Sequence, residues 1–241
     1  MPNDFFQFRQ FTIHQARCAM KVGTDGTLLG AWARGGKHIL DVGTGTGLIA
    51  LMMAQRFHEA HITGIDIAPE AVSQAKENVA ASPFANRIDI LEADFSLLST
   101  LKSQILNLKS QIFDCIVSNP PYFEQSLECP DPNRTQARHT SSLSYATLMK
   151  QATSLLTEDG VFSIIIPAES KSRMESEAAL CGLFKTRECA VKTTPRKPAR
   201  RYLLEFSKHP TPSFSPETGI IETAPGIRSS WYQALTKDFY L

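Results

Sequence analysis

Apolar positions along the chain fall into two rhythms. Short, nearly unbroken runs, HILDV at 38–42, HITGID at 61–66, IFDCIVS at 112–118 and VFSIIIP at 161–167, are rich in β-branched residues and end on charge, Gly or Pro. Such runs predict strands buried on both faces. Between them apolar residues recur at helical spacing. This predicts helices over 46–57, over 69–81 with Pro69 at the first turn, over 96–111, over 143–156 and over 169–181. RIDILEAD at 87–94 continues the strand series, and two further strand-like runs lie near 184–192 and 201–207. Strands alternating with helices imply βαβ units and a parallel sheet.

The flanks are different. Phe6, Phe8 and Phe11 sit among polar residues before KVGTDGTLLGAWA, which reads as a short extended arm, a turn and a helix through Trp32. Residues 123–140 are polar and Pro-containing, a loop of the length at which loops tend to be functional. From about 209 the chain is rich in Pro, Ser and Thr before an amphipathic end, SSWYQALTKDFYL, whose role the sequence leaves open. The expected organisation is an arm at 1–36, an α/β core at 37–208 and an extension at 209–241.

Composition narrows the function classes only slightly. A length of 241 residues suits one large α/β domain. The net charge of +1 and a pI near 7.7 mean that a nucleic-acid partner must be met by a local basic surface. Five scattered cysteines (Cys18, Cys115, Cys129, Cys181, Cys189) with no C-x-x-C pair argue against a disulfide framework and against a zinc site. With no charged-then-apolar leader and no apolar run of membrane length, the expected compartment is the cytoplasm, with no metal and no membrane partner.

Chemistry enters at four strand ends. DVGTGTG at 41–47 lies between a buried strand and a helix, and Gly43, Gly45 and Gly47 let the backbone turn sharply and approach a ligand closely. A dinucleotide fingerprint would need glycine at position 48, where the chain has Leu48. Asp66 ends the second strand, 19 positions after Gly47, a spacing at which an acid can accept ribose hydroxyls; it could equally cap the helix that starts at Pro69. Asp94, followed by Phe95, closes the third strand and could likewise be a cap. After the fourth strand comes Asn119-Pro120-Pro121-Tyr122, where two prolines force the strand to stop and set a rigid corner.

The pattern acid-x-Gly-x-Gly-x-Gly resembles motif I of class I S-adenosylmethionine-dependent methyltransferases. The resemblance implies a Rossmann-like, mostly parallel seven-stranded sheet with its last strand antiparallel, helices on both faces and a short N-terminal extension. It assigns the cofactor amino group to Asp41, the ribose to Asp66 with Ile67 beside it, and the adenine to Asp94 and Phe95. NPPY matches motif IV of enzymes that methylate an amino nitrogen of a planar conjugated system. There the Asn119 side-chain oxygen and the Pro120 carbonyl would accept the amine hydrogens, Pro121 would stiffen the corner, and Tyr122 would stack on the ring, worth about 1–3 kcal/mol per base. Holding the amine in line is a proximity effect that can reach roughly 7–11 kcal/mol, and no tuned general base is needed.

NPPY alone leaves open adenine N6, cytosine N4, guanine N2 or a glutamine amide. QFTIHQARCAMKVGTDGTLLGAWA closely resembles the start of the bacterial tRNA(Val) adenine-37 N6-methyltransferases, relatives of rRNA guanine-N2 enzymes, and the likeness extends over about 5–207. Within it Lys21, Thr24 and Asp25 look like the motif X segment that closes over the methionine end of the cofactor. Residues 185–201 hold seven basic side chains against one acid, and Arg196, Lys197, Arg200 and Arg201 are candidate RNA contacts, as are Arg134, Arg138 and His139 in the loop after NPPY. A solvated charged surface is the competing reading of both groups. The expected partner is the tRNA anticodon loop. Guanine-N2 methylation of rRNA, glutamine methylation of a release factor and a non-catalytic RNA-binding module are the other readings. The glutamine enzymes usually carry an N-terminal helical domain, for which the chain before motif I has no room.

Overall fold

The structure, a computed structural model, describes residues 4–18, 20–98, 113–120 and 143–241. Among these, twelve strands and six α-helices follow one another. The arm forms a hairpin of β1 (Phe5–Gln7) and β2 (Thr12–His14) and is followed by α1 (Thr24–Trp32). The alternating region gives β3 (His38–Val42), α2 (Leu48–Arg56), β4 (His61–Asp66), α3 (Pro69–Ala80), β5 (Ile88–Glu92) and β6 (Phe113–Ser118). Then come α4 (Tyr145–Leu155), β7 (Leu156–Pro167), α5 (Lys171–Leu180), β8 (Phe184–Lys192) and β9 (Ala199–Ser207). The tail supplies β10 (Glu217–Ile220), a small hairpin of β11 (Glu222–Ala224) and β12 (Ile227–Arg228), and α6 (Ser230–Thr236). The helix expected over 96–111 falls largely outside the described residues.

The central sheet has eight strands in the order β10-β8-β9-β7-β6-β3-β4-β5. Seven were expected; the eighth is β10, recruited from the tail and paired parallel to β8. Only β9 runs against the others, as the resemblance implied, with β7 on one side and β8 on the other. From β3 the chain moves outward to β4 and β5, then returns to the other side of β3 with β6 and β7. The strand order therefore reverses at β3, and the crevice beyond the carboxyl ends of β3 and β6 is where open α/β sheets bind ligands.

Alternation along each strand fills two cores. Ile39, Val117, Val161 and Ile165 face the layer that contains α1, α2 and α3, while Leu40, Val42, Ile116, Phe162, Ile164 and Ile166 face α4 and α5. α2 is covered nearly all round, Leu48 to Gln55 being buried, which explains a helix with no polar face. α1 lies close against it: a Cβ on Gly30 would come within 2.8 Å of Met52 Sδ. The arm and the tail are not separate from this packing. Phe8, Phe11 and Ile13 from the hairpin and Tyr232 and Phe239 from the tail lie in the same core as α2.

Candidate active site

The carboxyl ends of β3, β4, β5 and β6 open on a cavity of about 770 Å³. That is the size of a small-molecule or cofactor site. The glycine loop forms one wall. Gly43, Gly45 and Gly47 have φ of 71°, 55° and 81°, the left-handed region in which a side chain is strained. A Cβ on Gly43 or Gly45 would meet nothing within 4 Å, so φ rather than crowding selects glycine there, and open space lies beside the backbone. The loop is laced from behind. Gly43 N and Thr44 N donate to Ile65 O (both 2.9 Å), and Gly45 N donates to Asp66 Oδ2 (2.9 Å).

The acids occupy distinct stations. Asp66 and Asp94 both line the cavity. Asp66 caps no helix: Oδ2 takes Gly45 N and Oδ1 takes Ala68 N (3.0 Å), closing a turn, while α3 starts at Pro69 after Ala68, without a side-chain cap. Each carboxylate oxygen has a second lone pair, so these bonds orient the group without saturating it. Asp94 does act as a cap, Oδ1 accepting from Ser96 N at 2.8 Å ahead of the short turn Phe95–Leu97. Asp41 sits behind the loop on the α2 side rather than on the cavity wall. Its Oδ2 accepts from Thr44 Oγ1 (2.7 Å) and Ala50 N (3.1 Å), and its buried Oδ1 has no partner. Burial pushes its carboxyl up to about 7.

Lys21, Val22, Gly23, Thr24 and Asp25 also line the cavity, as do Ile67 and Phe95. Asn119 and Pro120, at the end of β6, close the cavity between them; Ser118 Oγ donates to Val42 O (3.0 Å), which locks that strand end to β3. Asn119 stands over the start of α1, its Nδ2 3.9 Å from where a Cβ on Gly26 would be. Pro121 and Tyr122 lie outside the described residues, as do Arg134, Arg138 and His139.

The basic cluster is smaller than its count suggested. Lys185 is held by Glu175 and Glu188, and Arg187 lies over the Trp32 ring at 4.0 Å and beside Glu205. Both are strand residues in β8, whose side chains alternate against neighbours instead of pointing into solvent. Arg201 is likewise turned toward the cavity wall, its Nε donating to Asp25 Oδ2 at 2.8 Å. Arg196 and Lys197 remain exposed between β8 and β9, as does Arg200 at the start of β9. Because β8 runs parallel to β7, that loop lies on the same edge of the sheet as the glycine loop.

Asn78 escaped the sequence reading. Fully buried in α3, its Oδ1 accepts from His14 N (2.9 Å) while Nδ2 donates to His14 O (2.8 Å) and Thr46 O (2.9 Å), pinning the hairpin to the glycine loop. Cys18 and Glu70 on the cavity wall were also missed. No helix among the described residues is long and apolar enough to cross a membrane.

The comparisons with known proteins agree with this geometry. A family model described as a methyltransferase domain matches residues 33–207. A tRNA1(Val) (adenine(37)-N6)-methyltransferase of Bacteroides thetaiotaomicron is 44% identical over 244 residues, covering 100% of this chain and 99% of that one. The chain belongs to that methyltransferase family. A second member, from Phocaeicola vulgatus, is 46% identical over 243 residues with the same coverage. Among solved structures a predicted O-methyltransferase, protein Atu636 from Agrobacterium tumefaciens, shares the fold at a TM-score of 0.66 and 20% identity, over 89% of this chain and 96% of that one. The Rossmann-like sheet of this family thus accounts for the crevice at β3 and β6. Its residues also suit the expected cofactor: a glycine cradle with open space, two carboxylates on the wall, and a buried carboxylate oxygen lacking a donor.

Proposed function

We propose that this chain transfers a methyl group from S-adenosylmethionine to the N6 amine of adenine 37 in a valine tRNA. The observation that carries the reading is the position of Asn119 and Pro120, which end β6 on the wall of the same cavity that the glycine loop, Asp66 and Asp94 line.

S-adenosylmethionine supplies an electrophilic methyl on a sulfonium. Gly43 and Gly45 would cradle it, Asp66 would accept the ribose hydroxyls, Asp94 the adenine amine, and Ile67 and Phe95 would flank the ring. Asp41 would orient the amino group, and Lys21, Thr24 and Asp25 would cover that end. The chain's own chemistry is positional. An adenine amine is a poor nucleophile because its lone pair is delocalised into the ring. Asn119 and the Pro120 carbonyl, accepting its two hydrogens, would turn the lone pair toward the methyl, and Pro121 would keep that carbonyl from swinging away. So held, the amine would form its N–C bond as the S–C bond broke and would then shed a proton to water. The target base must leave its stack; in an anticodon loop this is less costly than in a duplex. Tyr122 would then receive the ring, and Arg196, Lys197 and Arg200, with Arg134, Arg138 and His139, would meet the phosphates.

Incubation with S-adenosylmethionine and unmodified tRNA, digestion to nucleosides and mass spectrometry tests this directly. N6-methyladenosine is expected. N2-methylguanosine with rRNA, or methylglutamine with a release factor, would overturn the substrate.

A further inference from the structure

The tail plays no part in the chemistry above, yet with the N-terminal hairpin it encloses a second groove of about 610 Å³. Arg9 contributes from the hairpin, and Arg228 and Lys237 from the tail, while no acidic side chain lines it. Arg228 is drawn toward Glu222 at 3.2 Å. Arg9 and Lys237 have no ion-pair partner among the described residues. Arg9 Nε donates to Tyr240 O (2.5 Å), which fixes the guanidinium against the tail and leaves its terminal nitrogens uncommitted to that bond. The remaining wall is aromatic: Tyr232 and Tyr240 share a hydroxyl contact at 3.0 Å and stack at 6.2 Å between centroids, with Phe6 edge-on to Tyr240. Leu241 brings one carboxylate to the wall, its own terminus, against three cations; cations with aromatic rings between them suit a single-stranded nucleic-acid backbone.

The groove's position sharpens this. Val22, Gly23 and Thr24 line it and also line the active-site cavity, so one stretch of chain separates the two. The next residue, Asp25, is the one tied to Arg201 at the start of β9. We propose that the groove seats a backbone phosphate of the substrate RNA, held by Arg9 and Lys237, next to the nucleotide whose base enters the cavity. This rests on the RNA reading of the active site. A phosphate there presses the RNA against the 22–24 wall and sets how far the target base can reach.

The test compares Arg9→Ala/Lys237→Ala with the charge-conserving Arg9→Lys/Lys237→Arg over a salt series, reading tRNA affinity, S-adenosylmethionine affinity and thermal midpoint. The alanine pair is expected to weaken tRNA binding about tenfold at low salt and to flatten the slope of log K against log salt by about 0.7–0.9, from one lost phosphate contact. Cofactor affinity should stay at the parent value, and the charge-conserving pair should bind tRNA like the parent. Unchanged tRNA affinity and slope in the alanine pair, with the parent still methylating tRNA, would overturn the groove and leave the proposed function standing. Equal losses in both pairs would overturn it too, because shape rather than charge would then matter. A parent that neither binds nor methylates tRNA would remove the function and the groove together.

Discussion

Replacing Asp41 with Asn examines how the glycine loop is held. The carboxyl is fully buried, one oxygen bonded to Thr44 and Ala50 and the other unpartnered. Burial raises it from the ordinary 3.8 to about 7; the bonds from Thr44 and Ala50 oppose the rise, and the charge of Asp66 adds to it. A carboxyl raised in the folded state keeps a proton that the unfolded chain has already lost. Its contribution to stability is therefore complete below about pH 4 and is lost as pH rises through about 7. At about 1.4 kcal/mol for each pH unit, that displacement corresponds to about 4 kcal/mol. Asn is nearly isosteric, neutral throughout, and keeps an acceptor for Thr44 and Ala50. Measured as urea midpoints across a pH series, Asp41→Asn should match the parent near pH 4 and gain on it steadily, by up to about 4 kcal/mol near pH 8. Taking the difference between the two proteins cancels the other carboxylates. A flat difference, or a variant that loses ground with rising pH, would refute a protonated, desolvated Asp41. A cofactor ammonium would favour the ionised form, so saturating S-adenosylmethionine should narrow the gap by stabilising the parent.

Three further outcomes are expected. Asn119→Ala should lower the transfer rate by about 10²-fold or more while calorimetry finds S-adenosylmethionine affinity unchanged; retained turnover would remove Asn119 from the mechanism. Gly45→Ala forces a side chain onto a φ of 55° without a clash, so it should cost about 1–2 kcal/mol and lower the thermal midpoint by roughly 2–8 °C; no loss would mean the loop relaxes freely. Phe239→Ala empties a site that is 1% exposed and should cost about 3–5 kcal/mol in denaturant unfolding, a loss below about 1 kcal/mol showing that the tail is not part of the core.

The strands that feed the site were legible because a parallel sheet buries both faces, so HILDV and HITGID stand out as apolar runs ending at polar groups. Where pairing rather than burial makes the strand, the pattern is silent. β7 starts at Leu156, five residues before its apolar run, because Leu156 pairs with Phe113 across a register shift. β10 is four residues, ETGI, with no period to read; it exists because the edge of β8 offers backbone partners. The glycine loop and NPPY were visible as local motifs. Asn78 was not, since on α3 it reads as a polar helix residue and its partners lie 64 and 32 positions away. The pairing of Arg201 with Asp25, 176 positions apart, was hidden for the same reason, and so was the seating of Arg187 on Trp32, 155 positions away.

The hairpin and the tail touch across almost the whole chain, Arg9 bonding to the Tyr240 carbonyl from 231 positions away and Phe8 stacking on the Tyr240 ring. Closing so wide a span is entropically costly until everything between is in place, so this contact belongs to the end of folding. During synthesis the sheet from β3 to β7 can assemble while the hairpin still waits for its partner. Residues 22–24 would then lack the tail that shares the second groove with them. Binding competence should consequently appear only once the tail has docked on the hairpin, and a chain whose tail is undocked would be folded in its sheet yet lack one wall of the second groove.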